Sequence, residues 1–227
     1  MLDKKGNLSG FDSLISGEYT TTLVAALNDP SKLAVPEQAL QKINSPIQGP
    51  VTMGGNANSN TFVLTRPVGV IVESDQPLFT WQPLPGASTY SVTIFEYGGG
   101  EFAQSKPLDE TQWQLNEDTL AAGQPQLERG KTYIWQVTAI RQGTQVVADK
   151  GSTRNAIFMI LSLPDFERLD EVRSVGSALL LGVLYSEMGI LEDAEREFQK
   201  LQRENPNNPT ANKLLESIRN ARRSLEK

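Results

Sequence analysis

The sequence contains no cysteine and no histidine among its 227 residues. Without cysteine, the chain cannot form disulfide bonds, thiolate nucleophiles or cysteine-ligated zinc sites. Without histidine, it lacks the side chain that most often serves as a general base or metal ligand, and it cannot build a Ser-His triad. We therefore expect no metal site and no cofactor.

The chain also lacks basic character and long hydrophobic runs. Its formal net charge is -6, which argues against a nucleic-acid partner, because that partner requires a basic surface. No stretch approaches the roughly 20 apolar residues of a membrane helix, so membrane insertion of this chain is not expected. The opening residues MLDKKGNLSGFDSL show no signal peptide. This predicts a cytoplasmic protein if Met1 is the native start.

Carboxylate pairs are one kind of catalytic group that needs neither cysteine nor histidine, and a Ser-Lys dyad, which is another, cannot be proposed from the spacing of these residues. The pairs Asp109-Glu110 and Glu192-Asp193 are adjacent in sequence, so their side chains point in different directions on a strand or helix. The acidic residues of 191–204 alternate with basic ones, which is typical of a solvated helix face. No nucleophile elbow, phosphate-binding loop or calcium loop occurs. We expect the protein not to be an enzyme.

Composition divides the chain into three zones and predicts an α+β protein. Residues 1–60 are expected to hold short N-terminal helices and a flexible linker. One helix is indicated by Tyr19, Leu23 and Leu27, and a second, opened by Pro36, carries Leu40 and Ile43 on one face. Residues 47–60, rich in Gly and Asn, read as the linker.

Residues 61–161 have β character throughout. Turn residues separate eight short runs, which together predict an antiparallel β-sandwich. The runs are TFVL, GVIVES, LFTW, STYSVTIFEY, EFAQS, TQWQL, KTYIWQVTAIR and NAIFMIL. The glycine triplet at 98–100 is expected to form a hairpin turn, since no helix or phosphate-binding lysine follows it.

The placement of aromatic residues in this zone resembles a fibronectin type III-like sandwich. In that family, a Trp on an early strand and a Tyr on a later strand fill the space between the sheets. The resemblance implies a core formed by Trp81, Tyr90, Tyr133 and Trp135. Trp113 lies in a run that reads as an edge strand. It is therefore the candidate for an exposed aromatic, and it supports the alternative function of binding carbohydrate or cell-wall polymer.

Residues 162–227 have a helical pattern. Ser162 is a candidate N-cap, and an apolar stripe begins at Phe166 and continues to Leu184. This predicts one long helix that stops at Gly189. Two further helices are expected, from Leu191 to Glu204 and from Pro209 to the end. The arginines of the last helix lie near its C-terminus, where we expect their positive charge to interact favourably with the helix dipole.

The spacing of six residues in this zone resembles a tetratricopeptide repeat. These are Leu181, Gly182, Tyr185, Ala194, Phe198 and Pro206. Gly182 and Ala194 are small enough for two helices to approach closely. The last helix reads as a polar cap. Because one repeat plus a cap is too small to stand alone, support is expected from the long helix, the sandwich or another chain, which makes a homo-oligomer one expectation.

The resemblance also implies where a partner would bind. The inward positions of the repeat's first helix are Leu179, Val183 and Glu187, with Ser186 beside them. The family's clamp for a terminal carboxylate uses Lys and Asn where Leu179 and Val183 stand here, so an apolar protein surface is expected instead. The alternative is that these side chains pack on the sandwich or on the N-terminal helices.

The order of sandwich, helix and repeat is similar to the extracytoplasmic parts of bacterial anti-sigma-factor-like and repeat-containing envelope proteins. Their zinc-binding and membrane segments are absent from the sequence, so the anti-sigma role is not transferred. The resemblance implies a periplasmic or envelope-associated scaffold that binds another protein. This expectation competes with the cytoplasmic location predicted from the N-terminus.

Overall fold

The computed structural model describes residues 17–44, 62–116, 118–120, 126–148 and 156–225. The chain forms two compact units. Leu40–Ser162 is a β unit, while the described residues before Leu40 and after Ser162 form a helical unit. The N-terminal zone predicted at 1–60 is therefore divided between the two units. The linker predicted at 47–60 lies outside the described residues.

The β unit contains nine strands in its described residues. They are β1 Leu64–Arg66, β2 Val70–Val72, β3 Leu78–Trp81, β4 Ala87–Glu96, β5 Glu101–Gln104, β6 Gln112–Gln114, β7 Thr132–Arg141, β8 Thr144–Val147 and β9 Ile157–Ile160. A three-stranded sheet has the order β1-β3-β6. A six-stranded sheet has the order β2-β9-β7-β4-β5, and β8 also pairs with β7. Buried residues of both sheets form one core, so the unit is a β-sandwich.

One strand pair corrects the expectation of a wholly antiparallel sandwich, because β2 pairs with β9 in parallel. The chain crosses from one sheet to the other after β1, at Pro67. The carbonyl oxygen of Pro67 accepts a hydrogen bond of 2.6 Å from Trp135 Nε1. The first part of the chain thereby contributes an edge strand to each sheet, and β2 reaches the last strand in parallel orientation.

The core of the sandwich is aromatic. Phe79 lies at its centre, with ring centroids 5.2 Å from Trp113, 5.0 Å from Trp135 and 5.5 Å from Phe158. Alternation along β4 and β7 places every second side chain in this core. The predicted core residues are all buried: Trp81, Tyr90, Tyr133 and Trp135.

Both core tyrosines also bind backbone that precedes their strands. Tyr90 Oη accepts the N–H of Leu84 at 3.0 Å, and Tyr133 Oη accepts the N–H of Glu128 at 2.9 Å. A buried hydroxyl requires such a partner. Burial of Tyr133 raises the pKa of its phenol. Each tyrosine thus fixes the loop before its strand to the core.

The helical elements are α1 Gly17–Asn28, a 3₁₀ turn Pro30–Lys32, α2 Glu37–Asn44, α3 Leu163–Arg173, α4 Ala178–Glu187, α5 Leu191–Glu204 and α6 Pro209–Leu225. Within α2, Leu40 and Ile43 are buried as their spacing predicts. No helix in the described ranges is both long enough and apolar enough to cross a bilayer.

The single long helix predicted before Gly189 is wrong, because the chain breaks it into α3 and α4. Gly176 adopts a φ of 66°, which favours glycine and ends a helix. Ser177 then caps α4, since its hydroxyl accepts the N–H of Leu180 at 3.3 Å. The apolar stripe continues on both sides of this break, which is why periodicity alone merged the two helices.

Candidate interaction site

α4 is the centre of the helical unit. Residues 178–186 are all buried, and a helix that is apolar on every side must be surrounded by other elements. It packs against α1, α3 and α5. Gly189 ends the hairpin's first helix with a φ of 75°, and the N–H of Ile190 donates to Tyr185 O at 2.9 Å. This turn folds α5 back along α4.

The close approach predicted from the small residues is present between α4 and α5. A methyl group placed on Gly182 would lie 2.5 Å from Phe198 Cε1, closer than carbon atoms can approach. Ala194 and Phe198 are fully buried at this contact. The six residues that suggested a repeat therefore occupy a tight hairpin, with Pro206 exposed in the turn that leads to α6.

The four predicted partner-binding residues do not form an open surface in this conformation. Leu179 and Val183 are only 3% and 1% exposed. The Ser186 hydroxyl is buried and donates to Gly182 O at 2.7 Å, and Glu187 Oε2 lies 3.7 Å from Arg168 Nη2. The alternative placed these side chains against the sandwich or the N-terminal helices, and α4, which carries them, does pack against α1 as well as α3 and α5. Their contact with a partner stays a prediction.

The N-terminal segment covers part of the helical unit. α1 packs against α4, and the 3₁₀ turn packs against both α1 and α6. Tyr19, Leu23 and Ala26 form the buried face of α1, and Pro30 continues that face into the turn. Leu27, predicted on this stripe, is half-buried instead. Residues 17–32 thus contact α4 through α1 and α6 through the 3₁₀ turn.

A small polar network joins α1, α3 and α4. Tyr19 Oη donates to Glu171 Oε2 at 3.0 Å, and the guanidinium of Arg168 lies 5.9 Å from the Tyr19 ring centroid. Burial raises the pKa of the Tyr19 phenol, and the Glu171 carboxylate adds to that effect. Arg168 also pairs with Glu187 on α4. Sequence reasoning missed Arg168, because nothing in a lone arginine of a mixed-charge helix identifies its partners.

A second charged cluster joins α5 to α6. Glu195 Oε1 lies 2.8 Å from Arg219 Nε, and its other oxygen contacts Arg222. Arg222 also lies 3.4 Å from Glu192. Burial acts to raise the pKa of Glu195, but hydrogen bonds from the two arginines outweigh it and lower the pKa below its ordinary value. These arginines therefore bind α5, a role different from the predicted dipole capping of α6.

In the β unit, Trp113 is not the exposed aromatic that was predicted. Its strand β6 does lie at a sheet edge. The side chain, however, is 2% exposed and stacks on Phe79 with an interplanar angle of 27°. An edge position exposes the backbone of a strand, whereas alternation still turns every second side chain into the core. Tyr97, at the β4–β5 hairpin, is 39% exposed instead.

The described residues contain no cluster of three or more acidic side chains that could hold a metal ion. The ion pairs around Glu195 and Arg168 join helices to one another. Neither network contains a nucleophile next to a base. The arrangement of these groups suits the stabilisation of helix packing.

No family model matches the chain, and no curated protein matches it. Among solved structures, an Fn3-like protein from Clostridium thermocellum is similar over 47% of this chain and 98% of its own, with 18% identity and a TM-score of 0.30. CopC from Methylosinus trichosporium OB3b is similar over 45% of this chain and 95% of its own, with 15% identity and a TM-score of 0.30.

A beta-1,2-glucanase from Parabacteroides distasonis is similar over 67% of this chain but only 25% of its own, with 12% identity and a TM-score of 0.28. TM-scores this low are insufficient to assign a fold or a function to this chain from these structures. The resemblances to a tetratricopeptide repeat and to anti-sigma-factor-like envelope proteins remain expectations.

Proposed function

We propose that this protein is a non-catalytic interaction or scaffold module, and that its helical unit contacts another protein. The observation that supports the proposal is the α4–α5 hairpin, in which Phe198 packs directly on Gly182. Tight hairpins followed by a further helix are the building block of repeat proteins, whose helix pairs offer binding surfaces to other chains. A tetratricopeptide-type repeat is the architecture that we propose for α4, α5 and α6.

We also propose that the module serves a bacterial envelope system, on the strength of the sequence resemblance. Localisation is measurable by fractionating the source organism and detecting the protein with an antibody. Recovery from the envelope or periplasmic fraction is expected. Recovery from the cytoplasm alone would contradict this part of the proposal.

The alternative, carbohydrate binding by the sandwich, has lost its supporting residue, because the rings of Trp81, Trp113 and Trp135 all belong to the core. Tyr97 is the large aromatic side chain that remains exposed among the described residues. Any glycan-stacking site in the described part of the sandwich would therefore be tested through Tyr97. A Tyr97→Ala variant serves as the matched control for the experiment below.

The experiment is affinity capture with the whole chain, followed by lysine-specific cross-linking and mass spectrometry. Among the described residues, the helical unit offers Lys32, Lys200 and Lys213, whereas the β unit offers Lys42, Lys106 and Lys131. We expect a captured protein to cross-link through a lysine of the helical unit and to be retained by Tyr97→Ala. Cross-links confined to the sandwich lysines, or loss of the partner in Tyr97→Ala, would transfer the function to the sandwich. Failure to capture any protein would contradict the proposal.

A further inference from the structure

The helical unit already holds one amphipathic helix that is distant from it in sequence. α1 and the 3₁₀ turn precede the β unit, whereas α3 to α6 follow it. The N-terminal segment nevertheless lies against α4 and α6. α1 covers part of α4 and the 3₁₀ turn covers part of α6, and these two covered surfaces are here called the α4–α6 face.

This resident helix depends on its packing for stability. α1 has 12 residues, and helices of about 12–15 residues are marginal in water by themselves. It contains three consecutive threonines, Thr20 to Thr22, and β-branched residues lower helix propensity. The ten residues from Tyr19 to Asn28 carry no charge. Its apolar face and the hydrogen bond from Tyr19 to Glu171 contribute to holding the helix in place.

The buried side chains of α1 show which residue types the α4–α6 face can bind. It receives an aromatic residue, a leucine and a small residue at the spacing of Tyr19, Leu23 and Ala26. Glu171 accepts the hydroxyl of the aromatic residue, and the guanidinium of Arg168 lies over its ring. Leu179 and Val183 on α4, the positions at which a partner was predicted to bind, are buried beneath the packed helices.

We propose that the α4–α6 face is a binding site for an uncharged amphipathic helix of a partner protein, and that residues 17–32 are its exchangeable resident occupant. The partner helix presents tyrosine, leucine and alanine with the spacing of Tyr19, Leu23 and Ala26. This inference rests on the proposed function and specifies its partner class. A tethered segment competes at an effective concentration of about millimolar, so the partner helix binds only when α1 has detached.

The test uses a fluorescein-labelled peptide of residues 17–32, GEYTTTLVAALNDPSK, and three forms of the whole chain. Leu23→Asp places a charge on the buried face of α1 and should detach it. Val24→Asp makes the same change at the next residue, where the side chain is 44% exposed, and is the matched control. We expect Leu23→Asp to bind the peptide at least tenfold more tightly than the wild type or Val24→Asp does. A peptide that itself carries Leu23→Asp should not bind.

Equal peptide binding by all three chains would overturn the inference. If Leu23→Asp fails to fold, hydrogen exchange of the wild type tests instead whether α1 detaches from the rest of the unit. Amides of 19–28 should then exchange at least a hundredfold faster than those of α5, because α1 opens while the hairpin stays closed. Equal protection of α1 and α5 would make α1 an integral part of the fold and overturn the inference.

The outcomes separate this inference from the proposed function. If Leu23→Asp binds the peptide but no protein is captured, the helix-binding site is supported and the proposed function is contradicted. A captured protein that cross-links to the helical unit but does not compete with the peptide would keep the proposed function and overturn the inference. A wild-type dimer dissociated by the peptide would overturn the assignment to a partner protein, with a second copy as the occupant.

Discussion

The sandwich and the helical unit solve the packing problem with different side chains. The sandwich fills its core with large rings, and all three tryptophans of the chain lie there. The helical unit instead brings its central helices together at Gly182, against which Phe198 packs, with the small residue Ala194 buried on the same helix as Phe198. A core of large rings is most sensitive to removal of volume, whereas a close helix contact is most sensitive to its addition.

The same difference gives each unit its own spectroscopic signal. Tryptophan fluorescence reports only on the sandwich, because the helical unit contains no tryptophan. Circular dichroism at 222 nm reports mainly on the helices. Recording both signals for one substitution shows whether its effect stays within its own unit.

The largest effect is expected from Trp113→Ala. Removal of a buried aromatic side chain leaves a cavity and costs about 3–5 kcal/mol of unfolding free energy. Urea denaturation followed by the fluorescence of Trp81 and Trp135 should show the loss. Gln114→Ala, at the exposed neighbour on β6, should leave the midpoint unchanged. A loss below about 1 kcal/mol in Trp113→Ala would show that the Phe79 stack is not formed.

A smaller loss is expected from Gly182→Ala, which adds one methyl group where Phe198 leaves no room. Overpacking of this kind costs about 1–3 kcal/mol, and it should outweigh the gain in helix propensity. The midpoint at 222 nm should fall, and combination with Phe198→Leu should restore part of the loss. Gly100→Ala is the control, since nothing lies within 4 Å of its added methyl. Stabilisation by Gly182→Ala would contradict the close contact.

Ser177→Ala tests the break between α3 and α4. Loss of the hydroxyl that caps the N–H of Leu180 should cost about 1 kcal/mol, the usual value of an N-cap. The thermal midpoint at 222 nm is the measurement. Ser174→Ala removes a hydroxyl at an exposed position in the same connection and should have a smaller effect. If both variants are equally stable, Ser177 is not a cap.

The smallest effect, and the only one that depends on pH, is expected from Glu195→Gln. The folded pKa of Glu195 lies below its ordinary value. Its carboxylate therefore stabilises the fold above the pKa of an unfolded glutamate, and this contribution is lost as the pH falls through the folded pKa. The urea midpoint of the wild type at 222 nm should exceed that of Glu195→Gln near neutral pH and approach it in acid.

Glu192→Gln is the control for that comparison, because its carboxylate contacts Arg222 at 3.4 Å from a more exposed position. It should change the midpoint less than Glu195→Gln at neutral pH. A difference between the wild type and Glu195→Gln that is the same at all pH values would show that Glu195 does not act through its charge.

Alternation and helix punctuation predicted much of the local structure. Each of the eight β runs overlaps a strand, although TFVL meets β1 only at Leu64, and α5 has the predicted bounds. These features are local, because one strand or one capped helix carries its own pattern. β8 escaped notice because its residues are half-buried or exposed. It follows a tight turn in which Gln142 and Gly143 both have positive φ, a geometry that glutamine does not signal.

The errors concern which surfaces meet, and a single sequence does not encode that locally. The apolar stripe of α1 predicted a buried face but not that α4 would cover it. Trp113 lies on an edge strand, yet its ring faces inward, since edge position and side-chain direction are independent. Arg219 and Arg222 bind Glu195 across two helices. Such partners are chosen by the tertiary fold, after the local elements exist.

The helical unit is also discontinuous along the chain, since α1 comes before the β unit and α3 to α6 come after it. A ribosome that adds about 5–20 residues per second therefore releases α1 on the order of ten seconds before the helices that bury it. Over most of that interval the sandwich is still being synthesised, and Tyr19 and Leu23 have no α4 to contact. Nascent α1 is thus open to chaperones or other chains for longer than α3 to α6 are, with the uncharged stretch from Tyr19 to Asn28 accessible throughout.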